Sequence, residues 1–349
     1  MRQRLSVPMT QGVGFGPLPD LVVEGASVRA LDTLFSTAAL PLAVLEHRTM
    51  PVPLAAMAAI FEQAARVLGD RSFGARVGEA MTHEAYGPWL EYSAAAETLG
   101  KALGRTVVSM RYHQSHGRLR LDREGAFVVW RYLPPGRQAA SVQHSDHVVG
   151  PLWRFVASYL GPRWRPAWID LDYPRDPDWR RIEAHLAAPV RFAQPGVGVA
   201  IAAEDLARRR PCAAATRFRT LHDVAASSVS FAEEEPLRSI LALVTVRLLD
   251  GATDIEGTAA LAGLGVRNFQ RRLREAGLSY RQAVELARRR RAEALLAETD
   301  LSVTEIALAL GYADHAGFTR AFTRVAGMPP SAFRKAIRQV GPAGAGVRA

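Results

Sequence analysis

The sequence predicts an N-terminal α+β domain followed by a C-terminal all-α domain, in which a long helix joins two helix-turn-helix units. Up to about residue 205, helical and strand-like apolar spacings alternate along the chain. Beyond residue 236 every segment has helical spacing, and the breaks fall at glycines. Within this helical part, segments 261–279 and 310–330 repeat one pattern at an offset of about 49 residues, which indicates a duplicated structural unit.

The composition is that of a globular chain. Its 349 residues are enough for two or three domains. No stretch holds about 18 uninterrupted apolar residues, the N-terminal segment lacks the apolar centre of a signal peptide, and Cys212 is the sole cysteine. We therefore expect a cytoplasmic protein with no internal disulfide, no bound metal and no cofactor.

Positive charge is concentrated toward the C-terminus. The formal net charge is +10, and residues 236–349 contribute 17 Lys or Arg against 10 Asp or Glu. A local basic excess is what phosphate binding requires, because each neutralised phosphate releases condensed counterions. The alternative is a chain that is simply rich in arginine, since Lys101 and Lys335 are the only lysines.

Composition and periodicity divide the chain into five segments. These are an irregular N-terminus rich in Gly and Pro (1–26), the α+β domain (27–206), a linker (207–236), the helical domain (237–340) and a tail (341–349).

Within the α+β domain, apolar spacing predicts both kinds of element. Helices are expected in 27–68, 94–103, 144–160 and 176–186. Short β-rich runs between 106 and 133 predict an antiparallel meander, 165–173 predicts a strand, and 190–194 with 196–202 predict a strand pair around Pro195-Gly196.

The second copy of the repeat has the local signals of a helix-turn-helix. Ser302 and Glu305 form a capping-box pattern that starts a helix, and Gly311 can take the left-handed conformation that stops it. Asp314 can cap the next helix. The buried face of that helix is predicted to comprise Phe318, Phe322 and Val325.

The first copy follows the same plan, with Gly263 in the turn and Phe269 and Leu273 on the buried face of the second helix. Between the copies, Ser279 and Gln282 open a helix of about 18 residues, roughly 27 Å long. A rod of that length can hold two helices about one turn of DNA apart, roughly 34 Å. Arg288–Arg291 on this rod would contact phosphates or form a solvated face.

A helix-turn-helix reads bases with the N-terminal part of its second helix, which lies in the major groove of double-stranded DNA. Arginine pairs with guanine, Gln and Asn pair with adenine, and Thr contacts several base edges. The candidate DNA-binding residues are Arg267, Asn268, Gln270, Arg271, Arg274, His315, Ala316, Thr319, Arg320 and Arg324.

The run EIALALGY followed by FTRAFTRVAGMPPSAFR resembles the DNA-binding domain of the AraC/XylS family of bacterial transcription regulators. The resemblance implies base-facing positions at Arg267, Gln270 and Arg271, and again at His315, Ala316, Thr319 and Arg320. Ala316 is shorter than the usual residue, and Gly265 stands where the family usually has a capping Ser. The resemblance also implies contact with RNA polymerase.

Residues 27–211 resemble the arabinose-binding-like sensor domain found on one branch of these regulators, which includes the ornithine-utilisation type. The segments 41–103 and 186–211 carry this likeness. It implies that 27–206 senses a small-molecule effector and dimerises, and that the chain activates a metabolic operon.

Aromatic and histidine side chains of this domain are candidates for an effector pocket. They are His83, Tyr86, Trp89, Tyr112, His113 and Trp130. An aromatic wall would suit an amine or amino-acid-like metabolite through cation–π attraction. The alternative is an ordinary aromatic core.

No pattern supports catalysis. The pairs His113/His116 and His144/His147 have ligand-like spacing, but the first straddles a predicted turn and the second starts a helix without a nearby Glu or Cys, so we expect no metal there. Two alternatives stay open: a metabolite-binding protein or enzyme whose helical tail serves assembly, and an architectural DNA-binding protein without effector control.

Overall fold

The computed structural model describes residues 6–136, 141–211, 219–226 and 234–340. The chain divides into two compact units, an N-terminal unit spanning Ser6–Ser239 and a C-terminal unit that starts at Ile240. The helical domain was predicted to start at residue 237, three residues earlier.

The N-terminal unit mixes helices and strands. Its strands are β1 (Met9–Gln11), β2 (Pro51–Pro53), β3 (Arg118–Glu124), β4 (Phe127–Leu133), β5 (Ile169–Asp170), β6 (Val190–Arg191) and β7 (Val197–Ala202). Its helices are α1 (Leu18–Gly25), α2 (Val28–Thr37), α3 (Leu54–Leu68), α4 (Phe73–Ala80), α5 (Pro88–Ala94), α6 (Leu99–Ser109), α7 (Val142–Leu160), α8 (Trp179–Leu186) and α9 (Leu221–Ala226).

Five strands form the main sheet, in the order β3-β4-β7-β5-β6. All neighbours are antiparallel except β5 and β6. Trp130 in the middle of β4 lies opposite Leu121 on one side and Val199 on the other. Its buried ring packs against Phe155 of α7 with centroids 5.4 Å apart, so the core lies between the sheet and α7.

Helix α7 also packs against α4 at unusually short range. A Cβ added at Gly78 would collide with the carbonyl of His147, and one added at Gly150 would collide with the backbone of Gly78. The two helices therefore touch backbone to backbone, an approach that only glycine permits.

The first run of the predicted meander is helical, not extended. Val107–Ser109 complete α6, which Thr98 caps by accepting a hydrogen bond from the Lys101 amide. The buried residues of α6 include Leu99, Leu103 and Thr106, a helical spacing that outweighs the β propensity of the two adjacent valines.

The predicted strand pair around Pro195-Gly196 is also wrong. The strands β6 and β7 exist, but β5 lies between them, so Ile169 pairs with Val190 on one side and with Val199 on the other. The segment between β6 and β7 therefore crosses over β5, and Ala193 in this segment has a positive φ of 56°.

The prediction of an irregular segment 1–26 fails for its described part. Strand β1 pairs with β2, and α1 begins with a proline in its first turn, a position where the missing N–H costs nothing. Leu18 and Val22 of α1 are fully buried. The glycines and prolines here shape tight turns around apolar residues rather than marking an unstructured end.

The predicted linker lies partly, and the predicted tail wholly, outside the described residues. Of 207–236, the described part includes α9, and the next helix begins at Leu237. Residues 212–218 and 227–233 fall outside, as does the tail 341–349.

The regular elements described from Leu237 onward are helices, in agreement with the predicted all-α class. They are α10 (Leu237–Arg247), α11 (Ile255–Leu261), α12 (Val266–Glu275), α13 (Tyr280–Glu298), α14 (Val303–Ala309), α15 (His315–Ala326) and α16 (Pro330–Val340).

Candidate nucleic-acid interface and ligand cavity

The C-terminal unit contains two helix-turn-helix pairs, α11 with α12 and α14 with α15. In the first pair Asp254 caps α11 by accepting a hydrogen bond from the Gly257 amide at 2.6 Å. In the second pair Ser302 and Glu305 form the predicted capping box at the start of α14. Asp314 caps α15 through the Gly317 amide at 2.6 Å, also as predicted.

Glycine makes the turn between the helices in both pairs. Gly263 has a φ of 66° and Gly311 a φ of 73°, in the left-handed region that side chains with a Cβ avoid. The sequence identified both positions. Equivalent turns in the two pairs support the predicted duplication of one structural unit.

Aromatic side chains fix the second helix of each pair. Phe269 of α12 is fully buried and meets the Tyr280 ring edge-on at 6.3 Å. In α15, the ring centroids of Phe318 and Phe322 lie 5.7 Å apart within one core. Val325, predicted on this buried face, is instead 50% exposed, and Ala326, four residues beyond Phe322, packs against the core in its place.

The opposite faces of α12 and α15 carry the predicted DNA-binding residues. Eight of the ten candidates are exposed, and they are Arg267, Asn268, Gln270, Arg271, Arg274, His315, Arg320 and Arg324. Ala316 and Thr319 are half-buried. The structure therefore leaves all ten accessible at least in part and packs none of them into the core.

Four of these arginines are available for an external partner. Within the described part of the chain, Arg267, Arg271, Arg320 and Arg324 form no ion pair with a carboxylate. By contrast, Arg272 on the same helix as Arg271 pairs with Glu275 at 3.3 Å. The exposed faces thus present positive charge that the protein does not neutralise itself.

Gly265 at the start of α12 matches the departure that the resemblance indicated. Its backbone is extended, with φ −72° and ψ 151°, and no side chain caps the helix. The starts of α11, α13, α14 and α15 all have a capping side chain. Helix α12 therefore lacks the side-chain cap that α15 has.

The joining helix α13 runs for 19 residues and begins with the predicted capping box of Ser279 and Gln282. At 1.5 Å per residue its length is about 28 Å.

The arginine run on α13 does not form a free solvated face, since Arg288–Arg291 are all half-buried. The guanidinium of Arg288 lies 5.1 Å from the centroid of the Tyr312 ring, and Arg289 pairs with Glu293 at 2.8 Å. Burial lowers the pKa of Arg291. These side chains therefore pack in part against the C-terminal unit, and contact of the run with phosphates stays a prediction.

The N-terminal unit contains a cavity of about 70 Å³. Four of the six predicted effector residues line it, although they come from three separate parts of the chain: Tyr86, Trp89, His113 and Trp130. The indole of Trp89 stacks on the His113 ring with centroids 4.3 Å apart and planes 6° apart, and Tyr86 meets both rings edge-on.

The other two predicted effector residues do not join this group. Tyr112 lies outside the cavity lining, and its ring lies under the guanidinium of Arg111 at 4.9 Å. The side chain of His83 lies outside the described residues.

Two further histidines line the cavity, His144 and His147 on α7. Sequence reasoning considered them only as a metal pair. Their spacing of three residues at the start of an apolar helix was the signal that could have placed them on its buried face. Within the described ranges, no group of three His, Cys, Asp or Glu side chains is arranged to hold a metal.

Burial governs the protonation of these histidines. It lowers the pKa of His113 to about 3 and that of His144 to about 4. The pKa of His147 also falls well below its ordinary value, through burial and through the neighbouring histidines. All three imidazoles are therefore neutral near pH 7.

Comparison with known proteins gives matches to both units. Residues 29–209 match the family described as "Arabinose-binding domain of AraC transcription regulator, N-term", and residues 258–336 match "Helix-turn-helix domain". None of the described helices is both long and apolar enough to cross a membrane.

Individual relatives cover either most of the chain or less than a third of it. The chain is 26% identical to the ornithine utilization regulator of Pseudomonas aeruginosa over 91% of its own length and 94% of that protein. It is 35% identical to the regulator VqsM of the same species over 29% of its length and 31% of VqsM. The crystal structure of the regulator CdpR from P. aeruginosa is 21% identical, with 88% of this chain and 97% of that chain covered and a TM-score of 0.37.

Proposed function

Because the chain belongs to the AraC family of transcription regulators, we propose that it reads base edges with the exposed faces of α12 and α15. Membership of this family makes the protein a DNA-binding transcription regulator with a ligand-binding N-terminal domain, and not an enzyme.

The observation that carries the proposal is the set of unpaired arginines on the two reading helices. Arg267 is exposed at the start of α12, and Arg271 and Arg320 are exposed about one turn further along their helices, whose N-terminal parts meet the bases in helix-turn-helix proteins. An arginine that has no intramolecular carboxylate loses no ion pair when it binds guanine or phosphate. Gln270 supplies the side chain that pairs with adenine.

The length of α13 supports binding to two successive major grooves. A rod of about 28 Å is comparable with the rise of one DNA turn, roughly 34 Å. On this proposal Thr319 and Ala316, which are half-buried, contact bases from closer to the helix axis than the arginines do. Arg274 and Arg324, further along the two helices, contact phosphates.

Substitution of Arg320 by alanine tests base reading. Loss of one good base contact costs roughly 1–3 kcal/mol, so specific binding should weaken about 5- to 150-fold and base preference should relax at one position. The matched control is Arg281→Ala on α13, because Arg281 is also exposed but pairs with Glu285 and lies outside the reading helices.

The measurement is selection of binding sites from a random oligonucleotide pool, followed by gel-shift titration at fixed salt. The control should lose little affinity and keep the same selected sequence. If Arg320→Ala and Arg281→Ala weakened binding equally, with unchanged sequence preference, the assignment of α15 as a reading helix would be wrong.

The remaining parts of the proposal concern the effector and the partners. The cavity in the N-terminal unit is the proposed effector site, and an amine or amino-acid-like metabolite is one candidate, since aromatic rings attract cations. We further propose that the N-terminal unit forms homodimers, that the DNA-bound protein contacts RNA polymerase, and that it activates a metabolic operon in the cytoplasm. The test of these parts is to map genomic binding sites and to measure transcript levels, each with and without candidate metabolites.

A further inference from the structure

We infer that the cavity in the N-terminal unit takes an uncharged, largely apolar small molecule that carries a hydrogen-bond acceptor. This inference rests on the proposed function, in which that cavity is the effector site. It limits the effector to the class of molecule that the residues lining the cavity favour.

The first argument is charge. No Asp, Glu, Lys or Arg is found among the residues that line the cavity. Burial of an ion without a partner has a large desolvation penalty, and cation–π attraction to the aromatic rings offsets only part of that penalty. An amino acid would carry both an ammonium and a carboxylate into this wall, so the wall favours a neutral ligand.

The second argument is an excess of donors. The indole Nε1 atoms of Trp89 and Trp130 are buried and have no hydrogen-bond partner in the described part of the chain. An indole N–H can only donate. The Nδ1 atoms of His113 and His147 also lack a partner among these residues. A neutral imidazole donates or accepts at Nδ1 according to its tautomer, so the two indoles are the fixed donors. A ligand oxygen that accepts from one or both indoles would satisfy polar atoms that folding leaves unpaired.

The third argument is the neutrality of the histidines. Because burial holds the pKa values of His113 and His144 near 3 and 4, the wall acquires no positive charge near neutral pH. An anionic ligand would therefore have to bring a proton with it. Tyr132 is already engaged as the acceptor of a hydrogen bond from Gln114 at 2.8 Å.

The rest of the wall is apolar and partly adjustable. It includes Met57, Leu90, Met110, Leu119 and Leu152. The unbranched Met57 and Met110 side chains change rotamer most easily, so they can adjust the cavity of about 70 Å³ to the shape of a ligand.

Four ring compounds and one amino acid test the inference on the full-length protein. Benzyl alcohol is neutral with an acceptor oxygen, toluene lacks the acceptor, benzylamine is a cation, and benzoate is an anion near pH 7. L-Ornithine represents the charged amino acids. Calorimetric titration should show benzyl alcohol binding at least about tenfold more tightly than benzylamine, benzoate or ornithine.

The inference would be overturned if benzylamine or ornithine bound more tightly than benzyl alcohol, or if benzoate bound with uptake of one proton. Failure of all five compounds to bind would overturn it too. Specific DNA binding is measured on the same samples, so that loss of the proposed regulator function is distinguished from an error in the ligand class. A charged compound that binds in this cavity would leave the proposed effector site standing and remove only the inference.

Tryptophan variants test the donors. Trp130→Phe and Trp89→Phe keep an aromatic ring but remove the N–H, so each should weaken benzyl alcohol binding about fivefold, the typical worth of one hydrogen bond, and leave toluene binding unchanged. The matched control is Trp168→Phe, because the Nε1 atom of Trp168 also lacks a partner among the described residues but does not line the cavity. Toluene binding reports whether each variant still folds. Equal losses for both compounds in the two cavity variants would refute the donor role.

Discussion

Asp314 offers a direct test of how the second reading helix is held in place. Its carboxylate accepts a hydrogen bond from the Gly317 amide at 2.6 Å, and its extended backbone is that of a residue preceding a helix. The Asp314→Ala variant removes both the capping oxygen and a negative charge at the start of α15. The first turn of α15 should then open more often.

The magnitude follows from two contributions. Loss of an N-terminal cap costs about 1 kcal/mol, and loss of a negative charge near the helix start costs about 0.5 kcal/mol when exposed. Together they amount to about 1.5 kcal/mol, which corresponds to a population of open helix starts about tenfold higher. The Asp314→Asn variant keeps a capping oxygen and loses only the charge, so its effect should be about twofold.

Hydrogen exchange measured by mass spectrometry on the full-length protein is the appropriate assay. DNA affinity is less suitable, because removing a carboxylate near the phosphates strengthens binding while fraying of the helix weakens it. Amides in the first turn of α15 should exchange about tenfold faster in Asp314→Ala, while those of α12 stay unchanged. The reasoning is refuted if exchange in α15 does not change, or if Asp314→Asn accelerates it as much as Asp314→Ala.

Three further predictions follow from the same structure. Gly265→Ser should slow amide exchange at the start of α12 about twofold, since a capping hydroxyl is worth a few tenths of a kcal/mol over glycine, and Gly265→Ala should give no such gain. Phe322→Ala should lower the free energy of unfolding of the C-terminal unit by about 3–5 kcal/mol in denaturant titrations. Val325→Ala, on the same helix but half exposed, should lower this free energy by less than about 0.5 kcal/mol. The N-terminal unit should lose stability as the pH falls below 6.5, the ordinary pKa of histidine, because the unfolded chain then binds protons that the three buried cavity histidines do not bind. Each histidine contributes up to about 1.4 kcal/mol per pH unit. Burial raises the pKa of Asp146 to about 6, so protonation of Asp146 in the folded state offsets part of this loss. Urea unfolding from pH 7 to pH 5 checks the last prediction, and an unchanged slope in His147→Gln would contradict it.

The C-terminal unit was largely predictable from the sequence because its signals are local. A capping box, a left-handed glycine and a helical apolar stripe each act within one or two turns, so Ser302, Gly311 and Phe318 could be placed without knowing the rest of the fold. Val325 was misplaced because the apolar stripe continues from Phe322 by four residues to Ala326 and not by three to Val325, and both spacings fit a helical face.

The N-terminal unit was less predictable because its arrangement depends on long-range pairing. The insertion of β5 between β6 and β7 joins residues that are about 30 positions apart, and no local pattern specifies it. The run after Thr106 has β-branched residues, yet tertiary packing makes it helical. The cavity was predicted in part, since aromatic residues were noted as a group, but the contribution of α7 depended on the fold.

The close approach of α4 and α7 determines which side of the cavity can yield. Helix α7 carries His144 and His147, and its backbone is pressed against α4 at Gly78 and Gly150 with no room for even a methyl group. Helix α7 therefore cannot move toward α4 unless α4 moves with it. We expect an incoming molecule to displace other lining residues first, above all the flexible thioethers of Met57 and Met110, so that movement triggered by ligand begins there.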